Sequence, residues 1–443
     1  MMRCTLQQIF DSGFDEFARG RQLHSRETRA ARCIRGCYTA AMGAHTDSCL
    51  NGDYERLQFH ACRHRSCPRC AEAARVAWID AQMQRLLPCP HFHTVFTVPH
   101  SLLALWERNR SWFIKQLFDC ARLSLLQLLA DPRHLGATPG LLLSLHTWGR
   151  DLSHHPHVHC LVSAGGLDEH GQWRCTRPGW LLPVRPLQKL FRGKLLDALW
   201  QALSQHHLAL PPWTTELSWK HQIKRLYRAH WNVEIRPPYE HGRGVVLYLA
   251  RYAKGGPLPA DRPLELHHGH VAFDYVDHRS TLTRTLRLQQ REFISRVLWH
   301  AAPRGVHTTR HAGLYSSSWR AQHQLALAAL SQRSCATLTW PRTPPPPSAA
   351  TKSRSNRCPS CGGPLVRTSY FRPEPLASAP ATHHRGEITL CVAITATGPP
   401  AEHRERGPTG RSSGQPTAST GRATPPEYSR LRAAAASRRS PLN

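Results

Sequence analysis

Acidic residues are scarce in this chain of 443 residues, which has 29 Asp and Glu against 58 Lys and Arg. The formal net charge is therefore +29, counting histidine as neutral. An excess of this size indicates a polyanionic partner, for which nucleic acid is a better candidate than a membrane surface.

Long apolar runs are also missing. No segment approaches the roughly 20 apolar residues that a membrane span requires, and the N-terminal stretch has no apolar signal core. We therefore expect a cytoplasmic protein with reduced thiols and no membrane partner. In such a compartment the 15 cysteines are predicted to be metal ligands where they cluster and core residues elsewhere.

Residues 1–36 show little apolar periodicity. Their arginines predict either a basic arm that follows phosphates or a solvated helix. These arginines are Arg19, Arg21, Arg26, Arg29, Arg32 and Arg35.

The cysteines are densest in residues 62–70, which read CRHRSCPRC. A CxxC with an internal proline, formed by Cys67 and Cys70, makes a tight turn that can hold two thiolates on one zinc ion. We predict that Cys49 and Cys62 complete the site. The rival candidates for this second pair are Cys37, His60 and Asp53.

Three arginines lie between or beside these cysteines, namely Arg63, Arg65 and Arg69. A zinc-stabilised loop that displays arginines is suited to contact phosphates. We therefore predict that the three arginines bind DNA.

Two histidines share one face of a predicted strand in the run HPHVHCLVS, residues 155–163. Because strand side chains alternate, His157 and His159 point the same way and could share a divalent ion. A neighbouring predicted strand could supply a third ligand, either His146 or His93. The alternative is a pair of partly exposed histidines in a His-rich chain. The run lacks the Asp and final His of a His-x-His-x-Asp-His hydrolase.

Two tyrosines share one face of a predicted short helix over residues 245–254, which ends at two glycines. Tyr248 and Tyr252 are four residues apart, about 6 Å along the helix axis. A phenol can attack a phosphodiester that a bound cation polarises, leaving a covalent phosphotyrosine. Arg251 and Lys254 would add positive charge and contact DNA. The alternative is that the tyrosines simply pack on a sheet.

Elsewhere, residue periodicity predicts the remaining elements of a catalytic core. The expected elements are strands at 92–98 and 141–148, the latter in a hairpin with the two-histidine strand, helices along 113–128, from Pro186 and over 292–299, and a hairpin of 271–275 with 281–288.

The composition changes from about Pro341 to Pro, Ser, Thr, Ala and Arg, which predicts a largely disordered basic tail. Cys358 and Cys361 form half of a zinc ribbon with no partner pair nearby, so a metal there would need a distant ligand. We divide the chain into a basic arm with a zinc-binding domain (1–75), a catalytic domain (76–330) and the tail (331–443).

The order of cysteine-rich turn, His-x-His strand and two-tyrosine helix resembles the HUH superfamily of single-strand nucleases. More closely, it is similar to the two-tyrosine rolling-circle transposases of the insertion-sequence ninety-one (IS91) family. The resemblance spans roughly residues 30–330. The runs that carry it are 62–70, 92–100, LHTWG at 145–149, 154–162 and YLARY at 248–252.

That resemblance implies an α+β fold with a central antiparallel sheet flanked by helices. It implies a DNA transposase that cleaves and rejoins single-stranded DNA at element ends and target DNA, in the prokaryotic nucleoid. Tyr248 and Tyr252 would be the nucleophiles, forming a 5′-phosphotyrosine, and His157 and His159 would hold Mg²⁺ or Mn²⁺. The alternatives are a DNA-binding remnant or regulator without cleavage, or a rolling-circle replication or nicking enzyme. One departure is that Gly52 and Asp53 stand where the family usually has a Cys or His ligand for Zn²⁺.

Overall fold

The computed structural model describes residues 2–52, 54–240, 242–277, 280–332 and 356–373. In these ranges the strands are β1 (Met2–Cys4), β2 (Ala44–Cys49), β3 (Glu55–Phe59), β4 (His91–Thr97), β5 (Thr138–Trp148), β6 (His154–Leu167), β7 (Trp173–Cys175), β8 (Val233–Tyr239), β9 (Leu264–His267), β10 (His270–Val276), β11 (Thr283–Gln289), β12 (Thr309–Gly313) and β13 (Leu365–Phe371). The helices are α1 (Leu6–Ala18), α2 (Ser25–Gly36), α3 (Pro68–Met83), α4 (Leu103–Arg108), α5 (Arg110–Ala130), α6 (Val184–Ser204), α7 (Glu216–Arg228), α8 (Gly242–Ala253), α9 (Gln290–Trp299) and α10 (Arg320–Gln332).

A six-stranded sheet lies at the centre, in the order β12-β5-β6-β4-β8 with β7 paired to β6. Every pair in it is antiparallel. The register places Leu145 opposite Val158 and His146 opposite His157, so β5 and β6 form the expected hairpin. The predicted mixed class with an antiparallel sheet is confirmed.

Helices cover both faces of this sheet. On one face, alternating apolar residues such as Leu143 and Cys160 pack against α5, α6 and α7 in the largest core. On the other face, Leu142 and Leu161 pack against α3, α8 and α10. Buried polar residues, among them His146 and His159, continue along the same face of the strands beyond this apolar contact.

The N-terminal helices belong to a second core, so residues 1–36 are not the solvated helix that the sequence allowed, while phosphate binding by their arginines stays a prediction. Thr5 caps α1 in a capping box with Gln8, whose amide N donates to Thr5 Oγ1 at 3.2 Å. The apolar face of α1, including Phe10, is buried with α2, α9 and the sheet β1-β9-β10-β11. Helix α1 contains no arginine, and its buried apolar residues recur at helical spacing, at Leu6, Ile9, Phe10, Phe14 and Phe17. Among the arginines of residues 1–36, Arg35 pairs with Asp15 at 2.8 Å.

The third sheet joins distant parts of the chain in the order β13-β2-β3. Residues 356–373 therefore form an ordered part of what the sequence predicts to be a disordered tail. The remainder of that tail, residues 333–355 and 374–443, lies outside the described residues. Among the helices that the structure describes, none has the length and apolarity to cross a membrane.

Candidate active site and metal-binding groups

Three histidines meet on the face of the central sheet that α8 covers. His157 and His159 lie on β6, and His146 projects beside them from β5 because the register pairs it with His157. A nitrogen of each lies within 4.8 Å of a nitrogen of the other two, and all three residues are buried. The structure thus brings together the two histidines predicted as ligands and one of the two candidates for a third.

Hydrogen bonds orient the two imidazoles of β6. Nδ1 of His157 lies 2.6 Å from the carbonyl oxygen of His155 and donates to it, which leaves the lone pair on Nε2. That Nε2 lies 3.0 Å from Nε2 of His159. On its other side, Nδ1 of His159 lies 2.7 Å from Nε2 of His93. His93, the other candidate for a third ligand, therefore contacts the Nδ1 side of His159, and His157 faces the Nε2 side.

Burial keeps these imidazoles neutral. It lowers the pKa of His93 to about 3 and that of His157 to about 3. For His146 and His159 the pKa also falls well below its usual value, by burial first and then by the neighbouring histidines. A neutral imidazole is the form that binds metal ions.

The donor set fits a divalent cation. Two nitrogen ligands at about 2.1 Å and at right angles around one ion would be about 3.0 Å apart. This matches the 3.0 Å between the facing Nε2 atoms of His157 and His159. In addition, a hydrogen bond on the far nitrogen of each imidazole is the usual support for a metal-binding histidine.

Tyr248 lies next to the histidines. Val245 and Leu249 of α8 are buried against the sheet, and this packing turns Tyr248 toward the site. Its ring centroid is 5.5 Å from that of His159 and 5.6 Å from that of His93. The side chains of Tyr252 and Arg251 lie outside the described part of the structure, although both residues belong to α8.

One charged residue of this site is not evident from the sequence. Arg236 on β8 is paired in register with His93, and its charge adds to burial in lowering the pKa of His93. Its guanidinium also contacts Glu234, with Nε 3.2 Å from Oε1. The sequence feature that could have indicated Arg236 is the strand alternation around Ile235, which places Glu234 and Arg236 on one face.

Four cysteines form a compact group at the start of α3, namely Cys37, Cys62, Cys67 and Cys70. The Sγ atom of Cys70 lies 3.4 Å from that of Cys37 and 3.6 Å from that of Cys62. The hydrogen bond from the Cys62 thiol lowers the pKa of Cys37. Four thiolates at these separations are the ligand set of a structural zinc site. We call this group the zinc knuckle.

The sequence predicts Cys49 in the place that Cys37 occupies, and the structure corrects this. Cys49 ends β2, and its Sγ lies 3.3 Å from that of Cys361 rather than in the zinc knuckle. The end of α2 instead brings Cys37 to the other three thiols. His60 does not belong to this group either, and its Nε2 lies 2.9 Å from Nδ1 of His45. Asp53 lies outside the described residues.

The basic residues predicted to bind DNA have different surroundings. Arg63 and Arg69 are exposed, and Arg69 also lies over the Tyr38 ring at 4.5 Å. Arg65 is partly buried, and its Nη2 donates to the carbonyl oxygen of Gly255 at 3.3 Å. Burial lowers the pKa of Arg65 to about 10. Lys254 follows α8 and is half-buried.

The loop between the cysteines of the zinc knuckle contacts the segment that follows α8. Besides the bond from Arg65, the backbone of Ser66 approaches Gly256 closely. A Cβ at Gly256 would lie 3.3 Å from Cα of Ser66. A glycine at this position allows the two segments to pack.

Comparison with known proteins gives consistent matches along the chain. Residues 9–98 match the family model described as "Transposase zinc-binding domain", and residues 140–323 match the one described as "Putative transposase". The chain is 33% identical over 385 residues to "Putative transposase y4qJ" of Sinorhizobium fredii (strain NBRC 101917 / NGR234), covering 85% of this chain and 92% of that protein. It is 31% identical over 309 residues to "Transposase for insertion sequence element IS801" of Pseudomonas savastanoi pv. phaseolicola, covering 67% of this chain and 72% of that protein. No solved structure matches it.

Proposed function

Because the chain belongs to the IS91 family of DNA transposases and carries the family's zinc-binding domain, we propose that it cleaves and rejoins single-stranded DNA at the ends of a mobile element. Cleavage would pass through a 5′-phosphotyrosine, as in the HUH nucleases. The observation that carries this proposal is the position of Tyr248, whose ring centroid is 5.5 Å from that of His159. A nucleophile and a cation-binding group then lie side by side.

Tyr248 acts first on the phosphodiester in this scheme. Its phenol oxygen attacks phosphorus, and the bond from phosphorus to the 3′ oxygen breaks. The phenolic proton passes to solvent, and the departing 3′ oxygen takes up a proton, so the products are a 5′-phosphotyrosine and a free 3′-hydroxyl. The reverse reaction with another 3′-hydroxyl rejoins DNA. Tyr252, one turn further along α8, would hold a second strand end.

The histidines would hold a divalent cation, Mg²⁺ or Mn²⁺. His157 and His159 are the proposed ligands, with His146 as the third. When bound there, the ion would polarise the scissile phosphate and stabilise the departing oxygen. His93 keeps His159 in the tautomer whose Nε2 lone pair faces His157. Arg236 would contribute positive charge beside the phosphate.

The single strand is proposed to follow the basic surface between the zinc knuckle and α8. Exposed Arg63 and Arg69 would contact phosphates there, together with Arg251 and Lys254. Phosphate contacts of this kind position a strand without reading its sequence. The partly buried Arg65 would also connect the zinc knuckle to α8, through its hydrogen bond to Gly255, in addition to contacting DNA.

Adduct formation tests the proposal. The full-length protein is incubated with a single-stranded oligonucleotide from the end of its own element and with Mn²⁺, and denatured samples are separated by electrophoresis. We expect a covalent protein–DNA band that a chelator abolishes. The Tyr248→Phe/Tyr252→Phe double variant should form none. Tyr275→Phe is the matched control, because Tyr275 is also half-buried but lies on β10 in another sheet.

Each result separates the candidate functions. An adduct that persists in the double variant would show that another residue is the nucleophile. Salt-sensitive DNA binding without any adduct would favour a DNA-binding remnant or regulator. Cleavage without rejoining to a second end would favour a nicking or replication enzyme.

A further inference from the structure

A second cysteine group joins the N-terminal and C-terminal parts of the described chain. Strand β13 pairs antiparallel with β2, and the register places Leu365 opposite Cys49. The loop before β13 carries Cys358 and Cys361, which this pairing brings to the end of β2. The predicted half zinc ribbon thus meets a distant cysteine.

The three thiols are close together. Sγ of Cys49 lies 3.3 Å from Sγ of Cys361, and each of the three sulfur atoms, including that of Cys358, lies within 4.8 Å of the others. Cys49 and Cys358 are buried, whereas Cys361 is exposed. The group is therefore open to solvent on one side.

The loop has the backbone geometry of a metal-binding turn. The amide N of Ser360 lies 3.4 Å from Sγ of Cys358 and donates to it. In the zinc knuckle, the amide N of His64 makes the equivalent contact with Sγ of Cys62, also at 3.4 Å. The loop is closed by the amide N of Cys358, which donates to the carbonyl oxygen of Gly363 at 2.7 Å. Amide donors aimed at a sulfur favour the thiolate over the thiol.

The separations also suit a shared ion. Two thiolates bound to one tetrahedral zinc ion at about 2.3 Å would be about 3.8 Å apart. The observed 3.3 Å between the sulfur atoms of Cys49 and Cys361 is close to that value. It is far longer than the roughly 2.05 Å of a disulfide bond.

We propose that Cys49, Cys358 and Cys361 bind a second Zn²⁺ ion, separate from the zinc knuckle, with water in the fourth position. Among the described residues no fourth cysteine or histidine joins the group. Gly52 stands three residues after Cys49, where a cysteine would complete a CxxC pair. The exposure of Cys361 places the open position on the solvent side.

This site would fasten residues 356–373 to the N-terminal part of the chain. Strand β13 is exposed along most of its length, apart from Leu365, and buries little apolar surface of its own. A bound metal ion would add stability that so small an apolar core does not provide, because the binding site exists in the folded chain and not in the unfolded one. The zinc-binding unit then includes part of the predicted tail.

Metal stoichiometry is the first test. The full-length protein is purified with zinc and a reductant, and the number of zinc ions per chain is measured by elemental mass spectrometry. The buried histidine group can also hold zinc, so the test compares variants and does not rest on the absolute count. We expect one equivalent fewer in the Cys358→Ser/Cys361→Ser variant than in the unaltered protein, and no change in Cys175→Ser. Cys175 is a suitable control because it is exposed, as is Cys361. An unchanged zinc content in the double variant would overturn the proposal.

Alkylation provides a second test on the unaltered chain. After the reductant has been removed without exposure to oxygen, Cys361 should react with N-ethylmaleimide at least tenfold more slowly than Cys175, and a chelator should remove this difference. Peptide mass spectrometry measures both rates in one sample. Equal rates in the zinc-loaded protein would contradict a metal at Cys361. Both tests are independent of DNA cleavage.

Discussion

Nε2 of His93 lies 2.7 Å from Nδ1 of His159, on the side of the His159 ring opposite His157. In the tautomer that binds metal through Nε2, the Nδ1–H of His159 donates to His93. His93 thus acts on the metal through His159 and does not need to touch it.

Replacing His93 should weaken metal binding without abolishing it. We expect His93→Ala to raise the Mn²⁺ concentration needed for half-maximal adduct formation by about 10–100-fold, as for other outer partners of metal ligands. A metal titration of adduct formation measures this. His93→Gln, which can still accept a hydrogen bond, should recover part of the loss. A variant with unchanged metal dependence would show that the contact has no such role.

Arg65 and Arg63 should differ although they are neighbours in the sequence. Arg65→Ala removes the hydrogen bond to Gly255, and we expect it to destabilise the fold by about 1–3 kcal/mol. Arg63→Ala should change stability by less than about 0.5 kcal/mol. It should instead lower DNA affinity and reduce the salt slope by about 1. Urea unfolding and DNA titrations over a salt series measure the two effects. Similar behaviour of both variants would contradict their different burial.

The fourth thiol of the zinc knuckle can be identified by zinc analysis in the Cys358→Ser/Cys361→Ser background. There, Cys37→Ser should lower the zinc content by one further equivalent, because it removes one of four converging thiols. Cys49→Ser should leave the zinc content unchanged, since Cys49 lies in the other group. If Cys49→Ser removed that further equivalent instead, the ligand set predicted from the sequence would be right.

Buried His91 should make the fold sensitive to mild acid. Burial lowers the pKa of His91 to about 4 from a usual value of 6.5, so the unfolded chain binds the proton first as pH falls. The free energy of unfolding therefore keeps its full value above about pH 6.5, where His91 is neutral in both states, and falls progressively between about pH 6.5 and pH 4. This group alone should cost about 2 kcal/mol between pH 7 and pH 5.

Urea unfolding at pH 7 and pH 5 measures this effect. In His91→Gln the difference between the two pH values should shrink by about 2 kcal/mol. His170→Gln is the matched control, because His170 lies exposed in a loop, and it should leave the difference unchanged. An unaltered difference in His91→Gln would contradict the role of His91.

Local sequence patterns predicted the central elements well, for physical reasons. Strand alternation fixed the shared face of His157 and His159, and the hydrophobic pattern fixed the hairpin that carries them. Helical spacing placed the tyrosines on one element. These signals extend over a few residues and survive in almost any tertiary context.

The partners of the cysteines could not be predicted in the same way. Cys49 and Cys361 meet across 312 residues of sequence, and only the pairing of β2 with β13 brings them together. Likewise, Cys37 reaches the zinc knuckle because α2 ends there. Which cysteines share a metal ion depends on the topology of the chain, and this cannot be deduced from the spacing of the cysteines in the sequence. Arg236 was missed for a related reason, since its importance comes from the neighbouring strand.

Strand β1 pairs with β9, so that Cys4 meets Leu264 across 260 residues. On the ribosome, at roughly 5–20 residues per second, the first strand waits on the order of tens of seconds for its partner to emerge. Throughout that interval the apolar face of α1, with Ile9, Phe10 and Phe14, can pack on α2 but lacks α9 and the sheet that complete its core. A translation product that stops short of β9 would keep this face open to chaperones and proteases. Interrupted copies of the gene should therefore yield protein that is cleared and does not accumulate.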